Sequence, residues 1–448
     1  MKKNHFYLII IILFVVAAGF IVLKYKKDEK IKEAAFYLLK ERTGIMAQSE
    51  EAKHVQKQFA DLMKIVRTNP DDIKSRIALA SLYIREARVT GNYMYYDMAA
   101  MKYVNEVLAK DSLHFEALTF KSLLYLSQHH FAEGLALAEK ARAINPDNAF
   151  VHGVLVDANV ELGNYIAAVE EADKMMSIRP DLRSYSRVSY LREIHGDYPG
   201  AIEAMKLAVD AGAPGDEATE WARVHLGKLY ETKGDLKNAE MHYMIALQYR
   251  PGYAYSIAGL GRIASAAKEY DKAVAYYKQA DSLVYDYSFK EDMADVYELA
   301  GQKNNADSMI KWLINAMDED AKKGETNDAI GHYADGELAH VYLKAGNYDK
   351  ALKHALAEYN RRPSNIQVNE TLAWVYYNKN EYDKALPYLE AAMKTKSKNP
   401  GLICRAGLIY AKTGNKEKAR LLLGEVTKSN CYIPTPLKQQ GLNVLQTL

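Results

Sequence analysis

The sequence predicts an all-α fold, a continuous solenoid of antiparallel helix pairs, and three recurring features predict it. A small residue returns at Gly134, Ala168, Ala201, Ala239, Ala273, Ala306, Ala351, Ala385 and Ala419, with a period of about 34 residues. Two antiparallel helices need such a contact where they approach. Just ahead of the marker come Gly163-Asn164-Tyr165, Gly196-Asp197-Tyr198, Gly234-Asp235-Leu236, Gly346-Asn347-Tyr348 and Gly414-Asn415-Lys416, where glycine suits a left-handed helix C-terminus. Pro146, Pro180, Pro251 and Pro363 fall near the end of the second helix, where a missing N–H and the ring clash stop propagation.

The elements follow in chain order. Phe6 to Leu23 is an uncharged apolar run flanked by Lys2, Lys3, Lys24, Lys26 and Lys27, long enough to span a bilayer. Residues 1–30 are read as an uncleaved membrane anchor, with a cleaved signal peptide ending at Ala17-Ala18-Gly19 as the alternative. No cysteine lies near the run, which excludes lipidation there. The lysines after the run favour cytoplasmic repeats. The short basic tail before it favours export, so a single-pass membrane protein with periplasmic or extracytoplasmic repeats is expected.

Residues 31–72 read as a helical linker and cap, with Phe59, Leu62, Met63 and Val66 at helical spacing to cover the first unit. Repeats are expected over 73–318 and 332–431, with first helices opening near Ile73, Phe115, Ala149, Arg183, Glu220, Ala254, Tyr287, His332, Ile366 and Pro400. The first unit is long, and its Tyr93-Met94-Tyr95-Tyr96 run is expected to cover the exposed end. Ala211-Gly212-Ala213-Pro214-Gly215 adds a loop between two units. The interval from Ala306 to Ala351 exceeds the period by about three helical turns. This marks 319–331 as a lengthened insert, read as helices flanking Gly324 and projecting from the solenoid. Residues 432–448 form a tail.

Leu226-Gly227-x-x-Tyr230, Ala239-x-x-x-Tyr243, Ala246 and Pro251 together resemble the tetratricopeptide repeat. Leu260, Gly261, Ala273, Tyr277 and Ala280 repeat the match. So do Leu338, Ala339, Tyr342, Ala351 and Pro363, and then Leu372, Ala373, Tyr376, Ala385, Leu389 and Ala392. The resemblance covers residues 73 to 431. It implies a right-handed α-solenoid of about nine or ten units that binds a protein or peptide in a concave groove lined by the first helices. In that register the groove presents Arg183, Tyr190, Trp221, Lys228, Tyr255 and Arg262, a basic and aromatic surface suited to an acidic or extended peptide. Glu291, Asp295 and Glu298 follow, then Tyr333, His340, Trp374 and Tyr377. The family's carboxylate clamp for chaperone tails is not reproduced: Ser186 and Tyr190, Val224 and Lys228, and Ala258 and Arg262 stand at its positions.

Charge and chemistry narrow the function further. Lys and Arg total 59 against 57 Asp and Glu, for a net charge of +2, so no basic stripe points to nucleic acid. No phosphate-cradling loop, His-Glu-x-x-His helix, paired Cys-x-x-Cys or Gly-x-Ser-x-Gly elbow occurs, and neither an enzyme nor a cofactor is expected. The 34 tyrosines against 10 phenylalanines suit repeat cores whose hydroxyls reach the surface. His129-His130 occupies a turn where other units carry glycine and reads as a solvated loop. His332, Asp335 and Glu337, where the insert returns to the repeat, support an alternative metal-binding or enzymatic reading. A purely structural envelope role is a third reading. Cys404 and Cys431, the only cysteines, fall where a terminal disulfide is geometrically possible. Partner and self-association stay open.

Overall fold

The computed structural model describes residues 37–325, 331–428, 433 and 435–448. The chain divides into residues 1–41 and 42–448, and the described part of the first, 37–41, forms no regular element. Among the described residues the second unit holds 22 α-helices and no strand.

A leading helix, α1 (Glu50–Thr68), precedes ten helix pairs. These are α2 (Ile73–Thr90) with α3 (Tyr93–Lys110), α4 (Phe115–Ser127) with α5 (Phe131–Ile144), α6 (Ala149–Leu162) with α7 (Tyr165–Ile178), and α8 (Leu182–Ile194) with α9 (Tyr198–Asp210). Next come α10 (Glu217–Thr232) with α11 (Leu236–Tyr249), α12 (Ala254–Ala266) with α13 (Tyr270–Leu283), and α14 (Tyr287–Leu299) with α15 (Lys303–Glu325). The last are α16 (Asp335–Lys344) with α17 (Tyr348–Arg361), α18 (Ile366–Asn378) with α19 (Tyr382–Ala392), and α20 (Pro400–Lys412) with α21 (Lys416–Lys428). Helix α22 (Thr435–Thr447) packs on the final pair.

Local chemistry sets these boundaries. The Asp72 carboxylate accepts the Ser75 N–H at 2.7 Å, and Asp181 and Ser184 form a reciprocal capping box, each satisfying orphan N–H groups at a helix start. Gly163 and Gly414 take φ of 79° and 87° at the inter-helix turn. His129, Lys268 and Asn380 adopt the same left-handed turn without glycine. Ala168, Ala201, Ala239, Ala273, Ala351, Ala385 and Ala419 retain no exposed surface. The Leu-Gly pair has its own packing logic. A Cβ on Gly227 would lie 2.5 Å from the Tyr243 ring, and one on Gly259 would lie 2.8 Å from it. Tyr243 is thus wedged between two backbones, with its hydroxyl donating to Glu231 at 2.8 Å. Burying a ring of this size contributes about 2 kcal/mol.

At the N-terminal end Met63 and Val66 are buried, and Phe59 meets Tyr83 edge-on at 6.0 Å. The tyrosine run splits: Tyr96 enters the core while Tyr93 is exposed. At the insert the structure differs from expectation. Gly324 lies inside one long helix, α15, and α16, which opens the next unit, is shortened. That helix packs through Leu313 and Met317, both buried. Helix α16 opens at Asp335 rather than His332, and in the connection before it the Tyr333 N–H donates to the Gln128 carbonyl at 3.3 Å. Cys404 is buried, with Sγ 3.6 Å from the Leu437 carbonyl; Cys431 lies outside the described residues.

Contacts at one recurring separation close the solenoid on itself. Arg250 pairs with Glu51 at 2.8 Å, 199 residues away. His129 Nδ1 meets the Tyr333 carbonyl at 3.0 Å, 204 residues on. The Tyr165 hydroxyl accepts the Ile366 N–H at 2.9 Å, 201 residues on. This offset is about six repeat lengths, so the chain within 42–448 winds with about six units per turn and successive turns touch.

The expected anchor, residues 6–23, lies outside the described residues. Among the described residues no helix is long and apolar enough to cross a membrane, and the single-pass membrane placement is corrected accordingly. The physical reason is periodic charge. Even the longest helix, Lys303–Glu325, carries lysine and carboxylate side chains along its length, and each charge at a bilayer centre costs about 3 kcal/mol.

Candidate interaction site on the inner wall

The first helices of neighbouring units touch along the inside of the winding, α10 against α12 and α16 against α18. Ion pairs between units run along this wall. Arg187 donates to Asp157 at 2.9 Å, Arg262 to Glu231 at 3.0 Å, Lys344 to Asp295 at 2.5 Å, and Arg405 to Glu370 at 2.6 Å. Most wall charge is therefore internally compensated. Arg262 in particular is committed: it also reaches the Tyr243 hydroxyl at 3.1 Å and Asp292 at 4.0 Å. Glu291 and Asp295 share Lys344, while Glu298 is exposed.

Two cations stand outside these pairings. Among the described residues Lys228 Nζ has neither a hydrogen-bond nor an ion-pair partner, although Lys228 is exposed. The Arg183 guanidinium lies 5.4 Å over the Phe150 ring with no carboxylate bonded to it. Burial, then the neighbouring Arg262, hold the Lys228 ammonium below its ordinary value. Burial and Arg187 likewise lower Arg183. A side chain both solvent-accessible and desolvated sits in an enclosed wall, where protein surrounds it on most sides.

The same holds around them. Burial pushes the Tyr190 and Tyr255 hydroxyls up and lowers His340. Asp292 is raised to about 6, mainly by burial. His225 is held down to about 3 by burial and Lys228, so its ring is neutral beside Trp221, 3.9 Å away. Arg88, which the sequence reading passed over, reaches Glu217 at 3.0 Å and lies 6.0 Å over the Trp221 ring. It sits near the C-terminal end of the unusually long α2, and that length is the signal that could have flagged it.

Family models of the tetratricopeptide repeat match residues 222–253, 256–291 and 337–400. Over these residues the chain carries tetratricopeptide repeats. Among solved structures, a tetratricopeptide repeat protein from Parabacteroides merdae is 17% identical with a TM-score of 0.36, covering 59% of this chain and 98% of that one. A thermophilic tetratricopeptide repeat protein from Thermus thermophilus is 19% identical, with a TM-score of 0.36 and coverage of 46% and 98%. Human IFIT1, solved as a dimer with m7Gppp-AAAA, is 14% identical, with a TM-score of 0.43 and coverage of 81% and 92%. No curated protein matches the chain in sequence.

Within this tetratricopeptide solenoid the expected groove residues separate into groups. Arg183, Trp221, Lys228, Tyr255 and Arg262 share one stretch of wall, linked by their mutual charge effects and by Arg88. Tyr190 is exposed and reached by Gln367 at 3.4 Å. His340 lies 3.2 Å from Thr371. Tyr377 departs from expectation. It is buried, because its ring stacks on Trp374 at 4.7 Å and packs into the last core beside Tyr382 and Cys404. Trp374 is half-buried under Arg405. Tyr333 lies where two turns meet, between His130 at 4.1 Å and Arg361 at 4.5 Å. The trio His332, Asp335 and Glu337 is also divided. Asp335 is drawn to His354 and Arg361 at 2.7 and 2.6 Å, whereas His332 and Glu337 face His129.

Proposed function

We propose that this tetratricopeptide protein is an interaction scaffold whose inner wall holds an acidic, extended segment of a protein partner. Tetratricopeptide proteins generally act as non-enzymatic scaffolds that bind proteins. The observation that carries the finer reading is the pair of desolvated cations with no bonded carboxylate among the described residues, Arg183 and Lys228, with Trp221 on the same wall. Lowered ammonium and guanidinium values mean the free wall resists holding its own charge. An incoming carboxylate relieves that cost, while a basic or neutral segment does not. Trp221 and Tyr255 add flat apolar faces at low entropic cost. An extended segment fits because a wound array of first helices offers a long track rather than a deep pocket.

The test is binding of the full chain to an array of short unstructured peptides graded in net charge. Acidic peptides are expected to bind best, with affinity falling as salt rises. An Arg183→Glu, Lys228→Glu double variant should lose about tenfold or more, or about 1.4 kcal/mol. Equal binding by the variant, or a preference for basic peptides, overturns the reading.

A further inference from the structure

We propose that His129, His332 and Glu337 form a site for a zinc-type divalent transition-metal ion that fastens one turn of the solenoid to the next. One donor atom from each of the three lies within 4.8 Å of the others. The imidazoles are 4.4 Å apart between centroids. Glu337 Oε1 lies 3.4 Å from His332 Nε2 and 3.7 Å from His129 Nδ1. Tetrahedral zinc with ligands at about 2.1 Å sets its donors about 3.4 Å apart. The trio needs only small side-chain rotations to reach that spacing.

Two further observations favour an ion over a simple ion pair. Glu337 Oε2 is a buried oxygen with no hydrogen-bond partner among the described residues, so the carboxylate has spare lone pairs where donor capacity is short. Finally, the site is part-open, with side-chain exposures of 27%, 25% and 38% for His129, His332 and Glu337, which leaves room for a water in the fourth position. Two imidazoles and one carboxylate suit zinc, cobalt or nickel rather than magnesium or calcium, which prefer all-oxygen shells.

The placement gives the ion a structural consequence. His129 adopts φ 63° in the turn between α4 and α5, and its ring rests on Phe131 at 5.3 Å. His332 comes from the connection into α16 and Glu337 from the first turn of that helix, on the next turn of the winding. A bound ion would therefore tie the second unit to the eighth, taking the place of the hydrogen bond between His129 Nδ1 and the Tyr333 carbonyl.

The experiment is zinc titration of the chelator-stripped full chain, followed by calorimetry and thermal unfolding, with cobalt absorption reporting the ligand set. The expected result is one zinc per chain, a Tm raised by several degrees, and a visible cobalt spectrum. His332→Ala and Glu337→Gln should each weaken binding by about tenfold or more. His129→Asn should do the same while tolerating the left-handed turn. Asp335→Asn should retain binding, because that carboxylate serves His354 and Arg361. Circular dichroism establishes that each variant is folded. Folded wild type that takes up no zinc overturns the proposal. So does zinc bound equally by all three ligand variants, which would place the ion elsewhere.

Discussion

Gly163 and the Ser364 carbonyl meet so closely that a Cβ on the glycine would stand 2.2 Å from the carbonyl oxygen. Gly163 closes the turn between α6 and α7, and Ser364 leads into α18. Asn365 secures the contact by donating to the Glu161 carbonyl at 3.0 Å, and Arg362 pairs with the Glu161 carboxylate. This seam makes the winding a closed structure rather than an open spring.

Gly163→Ala is therefore expected to be far more damaging than Gly414→Ala. Both force alanine into left-handed backbone, costing about 1 kcal/mol. Gly414 faces open space, whereas Gly163 faces backbone that cannot yield. Urea unfolding should show a loss of about 3 kcal/mol or more for Gly163→Ala, with an increased radius of gyration in X-ray scattering. Equal losses with unchanged dimensions would mean the seam contributes nothing.

Arg262 illustrates a groove residue already spent inside the fold. Arg262→Ala strands Glu231, whose side chain is 7% exposed, and should cost about 3 kcal/mol. Pairing Arg262→Met with Glu231→Gln removes the stranded charge, and the double variant should recover part of the loss. A single variant with unchanged stability would show that the pair is not desolvated.

His225 gives stability a pH dependence of known sign. Its folded value is lowered to about 3 from an ordinary 6.5. Its contribution is complete above pH 6.5 and is lost as pH falls towards the folded value, because the unfolded chain takes up the proton first. Between pH 7 and pH 5 this amounts to about 2 kcal/mol. The stability gap between wild type and His225→Gln should shrink by that amount over the same interval. A constant gap would place the imidazole in contact with bulk water.

Two glycine substitutions should move in opposite directions. Gly227→Ala pushes a methyl into the Tyr243 ring and should cost about 1–3 kcal/mol. Gly424, within α21, has nothing within 4 Å of its would-be Cβ. Gly424→Ala should stabilise by about 0.5–1 kcal/mol through helix propensity alone. Thermal unfolding of the two variants checks both signs.

Much of the architecture was legible because it is local. The alanine markers locate the close contact of each pair, the turn glycines announce left-handed φ, and Gly227 before Tyr243 reflects a ring that tolerates no Cβ beneath it. Where the chain uses His129, Lys268 or Asn380 in the same turn, the marker vanishes although the backbone conformation remains. A register drift of one position is enough to send Tyr377 inward, since i and i+3 positions share a face only approximately. The extra residues after Ala306 were visible, but whether they lengthened both helices was not. The chain resolves it with one long helix, Lys303–Glu325, and a connection whose Tyr333 N–H bonds Gln128 in another turn.

The sequence by itself determined the repeat: helix, turn, helix and stop. Only the tertiary structure decided that the winding closes about every six units, that Arg88 crosses to Glu217, and that His129 rather than Asp335 joins His332 and Glu337. The physical reason is one of range. Periodicity records contacts within a unit and between neighbours, whereas the meeting of residues about 200 positions apart depends on small rotations accumulated over every intervening pair, and no single position encodes that sum.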